Sequence, residues 1–181
     1  MTTQANKDLE SAVLQNNALQ VKRAFENGAS IGYKAGNFFS RACTKNNIEI
    51  IDIFIMQPSF IKYANIFYKK YSNAHFHDGL LFASSNGILE NVRYMTTSSI
   101  YKQINEFEDL VFKCIKQSAT MKRQKTVSYY LEYMDIENNA KLQQFINDLP
   151  EDIKQFIKPI QLEIKLNQTL EDKHFSKKMK I

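Results

Sequence analysis

One spacing recurs along the chain and constrains its fold more than any other feature. An alanine (Ala12, Ala42 or Ala83) is followed within five residues by a pair that tolerates left-handed backbone: Asn16-Asn17, Asn46-Asn47 or Asn86-Gly87. Nine residues after each alanine stands a β-branched aliphatic: Val21, Ile51 or Val92. Asn and Gly enter left-handed conformations at least cost, so they end helices and open turns. The segment after each turn then repeats one apolar spacing, Val21/Ala24/Phe25, Ile51/Phe54/Ile55 and Val92/Met95/Thr96. Positions i, i+3 and i+4 share one face of a helix. The pattern therefore predicts pairs of short helices, each pair joined by a tight turn.

Helices this short are marginal alone, so each pair must bury its apolar face against a neighbour of its own kind. The expected pairs lie at about 7–36, 37–57 and 78–100. A fourth, degenerate pair is expected at 107–134, with Val127, Tyr130 and Leu131 as its second-helix face. In that copy the alanine position is lost to Lys113 or Cys114, and the turn "SATMKRQK" looks longer. Ala12 to Ala42 is 30 residues and Ala42 to Ala83 is 41, and the longer gap holds an insertion at 58–77. Pro58 stops or opens a helix there, and Ile61, Ala64 and Tyr68 would share one face of an extra helix. Only 5 glycines and 3 prolines occur, which fits helices better than a turn-rich β fold.

Asn16 to Ile31 resembles the second helix and outgoing loop of an ankyrin repeat, and so does "NNIEIIDIFI" from Asn46 to Ile55. "ENGAS" is similar to the Glu-x-Gly-Ala-Asp ending of such repeats. The Thr-Pro-Leu-His opening of the first helix is absent from every copy, and the Gly-Ala loop occurs once. The resemblance covers roughly residues 7–134 and implies an all-α, ankyrin-like helical-pair solenoid over 1–135. It also implies protein–protein recognition through first helices and outgoing loops, in a protein that blocks or bridges a partner. Divergent repeats rich in Asn, Ile and Lys look similar to those of large viruses, phages and intracellular bacteria. That resemblance implies action on a host factor, in the host cytoplasm.

After residue 135 the spacing changes. Leu142, Phe145 and Ile146 predict one helix, and Ile153, Phe156 and Ile157 a second that Pro150 opens and Pro159 ends. The segment 160–170 reads either as a helix or, with Ile160, Leu162, Ile164 and Leu166 alternating, as a strand. Residues 136–181 are thus expected to form a C-terminal helical cap, which repeat stacks need.

Catalytic signatures are sparse. There is no Gly-rich phosphate loop and no nucleophile elbow. His75-Phe76-His77-Asp78 would begin a metal site, but no further His or Cys lies near in sequence. Asp78 as N-cap of the helix "GLLFASSNG" explains the stretch better. Cys43 and Cys114, both in apolar stretches, read as small buried residues in a reducing compartment. No signal peptide and no long apolar span is visible, so a cytoplasmic protein without membrane, metal, cofactor or enzymatic activity is expected.

What remains is surface. "KYANIFYKKYSNAHFH" interleaves aromatic and basic residues, which suits a protein interface, single-stranded nucleic acid, or the core of an extra helix. Expected partner-binding residues are Tyr33, Lys34, Tyr63, Tyr68, Lys69, Lys70, His75 and His77, with Ser98 to Asn105 beside them. The alternative is a nucleic-acid-binding accessory protein. Formal charge is +5, and 113–125 carries five cations and no acid. On that alternative the contacts are Lys122, Arg123, Lys125, Lys177, Lys178 and Lys180.

Overall fold

The computed structural model describes residues 3–70 and 75–178, leaving aside the side chains of 35, 67–70, 75 and 171–178. Among the described residues the structure is all-helical, with no strand. Four helical pairs follow one another: α1 (Gln4–Leu14) with α2 (Ala18–Glu26), α3 (Asn37–Cys43) with α4 (Ile48–Ile55), α6 (His75–Asn86) with α7 (Leu89–Thr97), and α8 (Phe107–Thr120) with α9 (Gln124–Tyr133). Between the second and third pairs runs α5 (Phe60–Lys70). After the fourth come α10 (Ala140–Asn147) and α11 (Glu151–Lys178).

The first helices α1, α3, α6 and α8 pack side by side in one row, and the second helices α2, α4, α7 and α9 in another. The apolar spacing faces inward: Val21, Ile51, Val92 and Val127 are each fully buried, as are Ala12, Ala42 and Ala83 to within 1%. Phe25 and Phe54 meet edge to face with ring centroids 5.1 Å apart, joining α2 to α4.

The turns show why the spacing works. At Asn16 (φ 56°) the chain goes left-handed, and Asn17 N–H reaches back to the Ala12 carbonyl at 3.0 Å. Gly87 (φ 74°) does the same with Ile88 N–H on Ala83 O at 2.9 Å. Lys122 (φ 55°) repeats it with Arg123 N–H on Ser118 O at 2.8 Å. The fourth pair is therefore in frame. Ser118, not Lys113 or Cys114, takes the alanine place, four residues before the left-handed Lys122 and nine before Val127. The second pair departs, because Asn46 does not adopt positive φ and Asn47 N–H bonds Lys45 O instead. The exit turn also occurs twice: Ala29 N–H meets Ala24 O past Gly28, and Ile136 N–H meets Leu131 O past Asp135 (φ 51°).

Each turn is tied to the one before it. Asn47 Nδ2 donates to Asn16 Oδ1 at 3.2 Å. Buried Asn91 donates to the Cys43 and Lys45 carbonyls at 3.0 and 2.6 Å. Arg123 Nε donates to Ser85 O at 2.9 Å. Each donor satisfies a carbonyl or amide group at the end of the preceding first helix, where partners within the helix run out.

Of the two readings of 160–170 the structure takes the helix, and one expectation for the C-terminal region is corrected: Pro159 does not end its helix but lies inside α11. Pro159 is exposed, so its ring and the lost hydrogen bond face solvent. The opposite side carries Ile153, Ile157, Ile160 and Ile164, all buried in a helix that packs on α8 and α9. Burying them offsets a proline cost of about 3 kcal/mol at roughly 1.5–3 kcal/mol per side chain. Asp78 is likewise not an N-cap, because α6 begins at His75 and Asp78 sits in its first turn.

Candidate partner-binding surface

The exit loop of the first pair is built from its backbone outward. Ser30 N–H donates to the buried Asn6 Oδ1 at 2.8 Å, fixing the start of the loop on α1. A short 3-10 turn, Tyr33–Gly36, follows, with Lys34 at φ 50° and Gly36 at φ 82°. A side chain at Gly36 would strike the Phe76 ring at 2.3 Å, so close approach and left-handed backbone both require glycine there. Tyr33 stacks on Phe38 at 5.7 Å. Lys34 pairs with Glu10 at 2.8 Å and hangs over the Tyr33 and Phe38 rings at 5.5 and 5.4 Å. The Glu10 hydrogen bond raises the Lys34 amine above its ordinary value. Tyr63 packs against Gly32, where an added Cβ would lie 2.7 Å from its ring. Three of the expected residues, Tyr33, Lys34 and Tyr63, thus gather around one loop.

The insertion has two sides. Its inner side is core: Phe60 and Ala64 are fully buried, while Ile61 is only partly so. Phe60 meets Phe39 and Phe76 at 5.1 and 5.3 Å, and Phe39 stacks on Phe76 at 5.7 Å. Its outer side exposes Lys62 and Ile66. The side chains of Tyr68, Lys69, Lys70 and His75, expected at this surface, lie outside the described residues.

His77 is a correction. It is 7% exposed and faces inward, where Nε2 donates to the Asn105 carbonyl at 3.0 Å. Asn65 Oδ1 accepts from Asn105 N–H at 2.9 Å, so α5 and α6 hold the 98–106 loop from two sides. Burial lowers the His77 pKa despite the Asn105 bond, which favours the neutral ring with its proton on Nε2. It positions a loop and is not available to a partner.

The basic stretch is exposed at the fourth turn. Lys122, Arg123 and Lys125 are all exposed, and among the described residues none forms an ion pair. Arg123 and Lys125 line a groove of about 320 Å³ with Asn86, Gly87, Gln124 and Thr126. Lys122 leans on Phe156 at 4.7 Å. The side chains of Lys177 and Lys178, and the whole of Lys180, lie outside the described residues.

The cysteines are poor nucleophiles here. Cys43 is fully buried with its sulfur 3.8 Å from Met95 Sδ, and burial drives its thiol pKa well up. Burial likewise pushes the Cys114 thiol up to about 12. Among the described residues no three His, Cys, Asp or Glu side chains are grouped to hold a metal ion.

A second aromatic ridge escaped the sequence reading. Tyr129 and Tyr133 stack at 5.8 Å on α9, with Arg93 over the first ring and Lys102 over the second at 5.5 and 5.6 Å. Tyr133 OH donates to Thr96 O at 3.0 Å, and Tyr94 OH donates to Asp52. The four-residue spacing of Tyr129 and Tyr133 was the available signal; the cations come from α7 and the loop after it.

These features define an all-α protein of paired helices. Comparison of the chain with known protein families, curated proteins and solved structures returns no match. No helix of the described residues is long and apolar enough to cross a membrane.

Proposed function

We propose that the chain is a divergent, ankyrin-like stack of four helical pairs that binds a partner protein and blocks or bridges it. Support comes from the two rows of helices, the shared turn geometry and the turn-to-turn ties. One observation carries the reading. Helix α5 adds no pair to the rows, yet its inner side is fixed in the core and its outer side holds Lys62 and Ile66 in the open. Beside it stand Tyr33 and Lys34 on an exit loop that α5 itself contacts. A rigid, partly apolar, partly basic surface of this kind suits a protein interface, where aromatic anchors carry most of the energy.

The test is affinity capture from the native cell with mass spectrometry, comparing the natural chain with the double variant Lys62→Glu, Ile66→Asp. A specific protein retained by the first and lost by the second, in the presence of nuclease, is the expected result. Recovery of nucleic acid alone in a parallel capture without nuclease, with no protein retained when nuclease is present, would overturn it.

A second reading rests on Lys122, Arg123 and Lys125, which are exposed together beside the 320 Å³ groove without ion pairs among the described residues. On that reading the partner is a phosphate chain. Its affinity would fall steeply as salt rises, with a slope set by the number of phosphates met.

A further inference from the structure

The exposed cations of the fourth turn and the tyrosine ridge lie on one line. Lys125, Tyr129 and Tyr133 stand four residues apart on α9, so their side chains share one side of that helix. Lys122 and Arg123 precede them at the turn. From beside α9, Arg93 lies over the Tyr129 ring and Lys102 over the Tyr133 ring. Lys122, Arg123, Lys125, Arg93 and Lys102 are all exposed, and among the described residues none forms an ion pair. Two acids, Glu90 and Glu132, are exposed on the same helices, and Glu132 accepts from Ser128 Oγ at 3.2 Å.

The line is rigid as well as charged. The Tyr129 hydroxyl shares a hydrogen bond with Thr96 Oγ1 and the Tyr133 hydroxyl donates to Thr96 O, so both rings are clamped to α7. Thr96 itself is fully buried. A cation resting on a clamped ring is held in place with no carboxylate to neutralise it. Arg123 is held too, by Nε donating to Ser85 O at 2.9 Å beside the 320 Å³ groove. Side chains fixed beforehand lose little further freedom when a ligand arrives. Like charges gathered this way repel one another, so the arrangement costs stability that an anion along the line would restore.

A nucleic-acid strand carries one charge per nucleotide at regular spacing and meets a row of cations at every step. An acidic protein segment does so only where its acids happen to fall. From Lys125 to Tyr133 the line covers about 12 Å of α9, a few nucleotides' length, and it is one side chain wide, which matches one strand. Cations interleaved with aromatic rings are how single strands are held. We propose that the α7–α9 side of the stack binds a single strand of nucleic acid, with its phosphates running from Arg123 and Lys125 past Arg93 to Lys102. Tyr129 and Tyr133 are the positioning residues. The assignment rests on the second reading above and extends it from one turn to a track; the α5 surface is left to a partner protein.

Fluorescence anisotropy of a labelled oligothymidylate, titrated with the full chain at several salt concentrations, tests it. Binding that weakens steeply as salt rises is expected. Arg93→Gln with Lys102→Gln should weaken binding several-fold and lower the salt slope by about two. Lys7→Gln with Lys22→Gln removes the same charge from exposed sites on the first pair and should leave the slope unchanged. Tyr133→Leu keeps the Lys102 charge but removes its rest, so affinity should fall while the slope holds. Glu132→Gln should tighten binding. A duplex of the same length or polyglutamate bound as tightly as the single strand would overturn the track. So would an Arg93/Lys102 variant indistinguishable from the Lys7/Lys22 variant; an effect of Lys122→Gln with Lys125→Gln would then still uphold the reading of the fourth turn. No binding to any of these probes would remove both.

Discussion

At the residue scale, buried polar side chains do much of the joining. Asn91 is fully buried and spends both amide hydrogens on carbonyls at the end of α3. Asn91→Ala leaves the Cys43 carbonyl without that donor, while Lys45 O keeps its bond from Asn47 N–H, and a neutral bond lost to an unsatisfied buried group costs about 1–3 kcal/mol. A loss of about 1–3 kcal/mol in urea unfolding is the expected result. His77 gives a pH signature. Its folded pKa is lowered, mainly by burial, below the unfolded value of about 6.5. The native state therefore binds fewer protons in the window between the two values, and stability falls as pH drops below about 6.5. The slope fades out by about pH 7.5, where the ring is neutral in both states. His77→Gln keeps a donor toward Asn105 and should flatten the profile between pH 7.5 and 5, read from urea midpoints. Gly79 lets α6 lie close against α3, where an added Cβ would lie 2.7 Å from the Phe39 ring and 2.9 Å from Cys43 Sγ. Gly79→Ala gains about 1 kcal/mol of helix propensity but overpacks a rigid site at about 1–3 kcal/mol. A net thermal destabilisation is expected.

At the scale of elements, the second helices were the most legible part of the chain. Their i, i+3, i+4 faces are set by burial alone, and burial needs nothing from distant sequence. The turns were harder. Lys122 goes left-handed against its own preference, and Asp135 tolerates the conformation without being the Asn or Gly that marks the earlier turns. A search for Asn or Gly therefore misses the fourth turn and the second exit loop. Pro159 misled for a similar reason: local chemistry says stop, while four buried isoleucines on the other side carry the helix through. Pro159→Ala restores one backbone donor and should raise stability by about 1–3 kcal/mol, checked by thermal unfolding. His77 and Tyr63 show the limit for the candidate surface. Composition could mark 62–77 as unusual, but which side of α5 faces in depends on Phe60 finding Phe39 and Phe76, residues 21 and 16 positions away.

At the scale of the whole molecule, the aromatic centre links parts that are far apart in sequence. Phe39 comes from the second pair, Phe60 from the insertion, Phe76 from the third pair, and Tyr101 from the loop after it. Phe60→Ala should cost about 3–5 kcal/mol in equilibrium unfolding. Its effect on hydrogen exchange should appear in α3 and α6 together, since the ring serves both. If exchange rises in α5 alone, the insertion is an appendage to the stack rather than part of its centre.

The ties between turns also have a direction. In all three the donor lies in the later pair, on Asn47, Asn91 or Arg123, and the acceptor lies in the earlier one. During synthesis each first helix therefore leaves the ribosome with its terminal acceptors unmet, and the closing donor is delivered only when the next pair has been made. Vectorial assembly is the expected consequence: each of the first three pairs gains its closing tie only from its successor, and a nascent chain paused between pairs should be loosest at its newest turn.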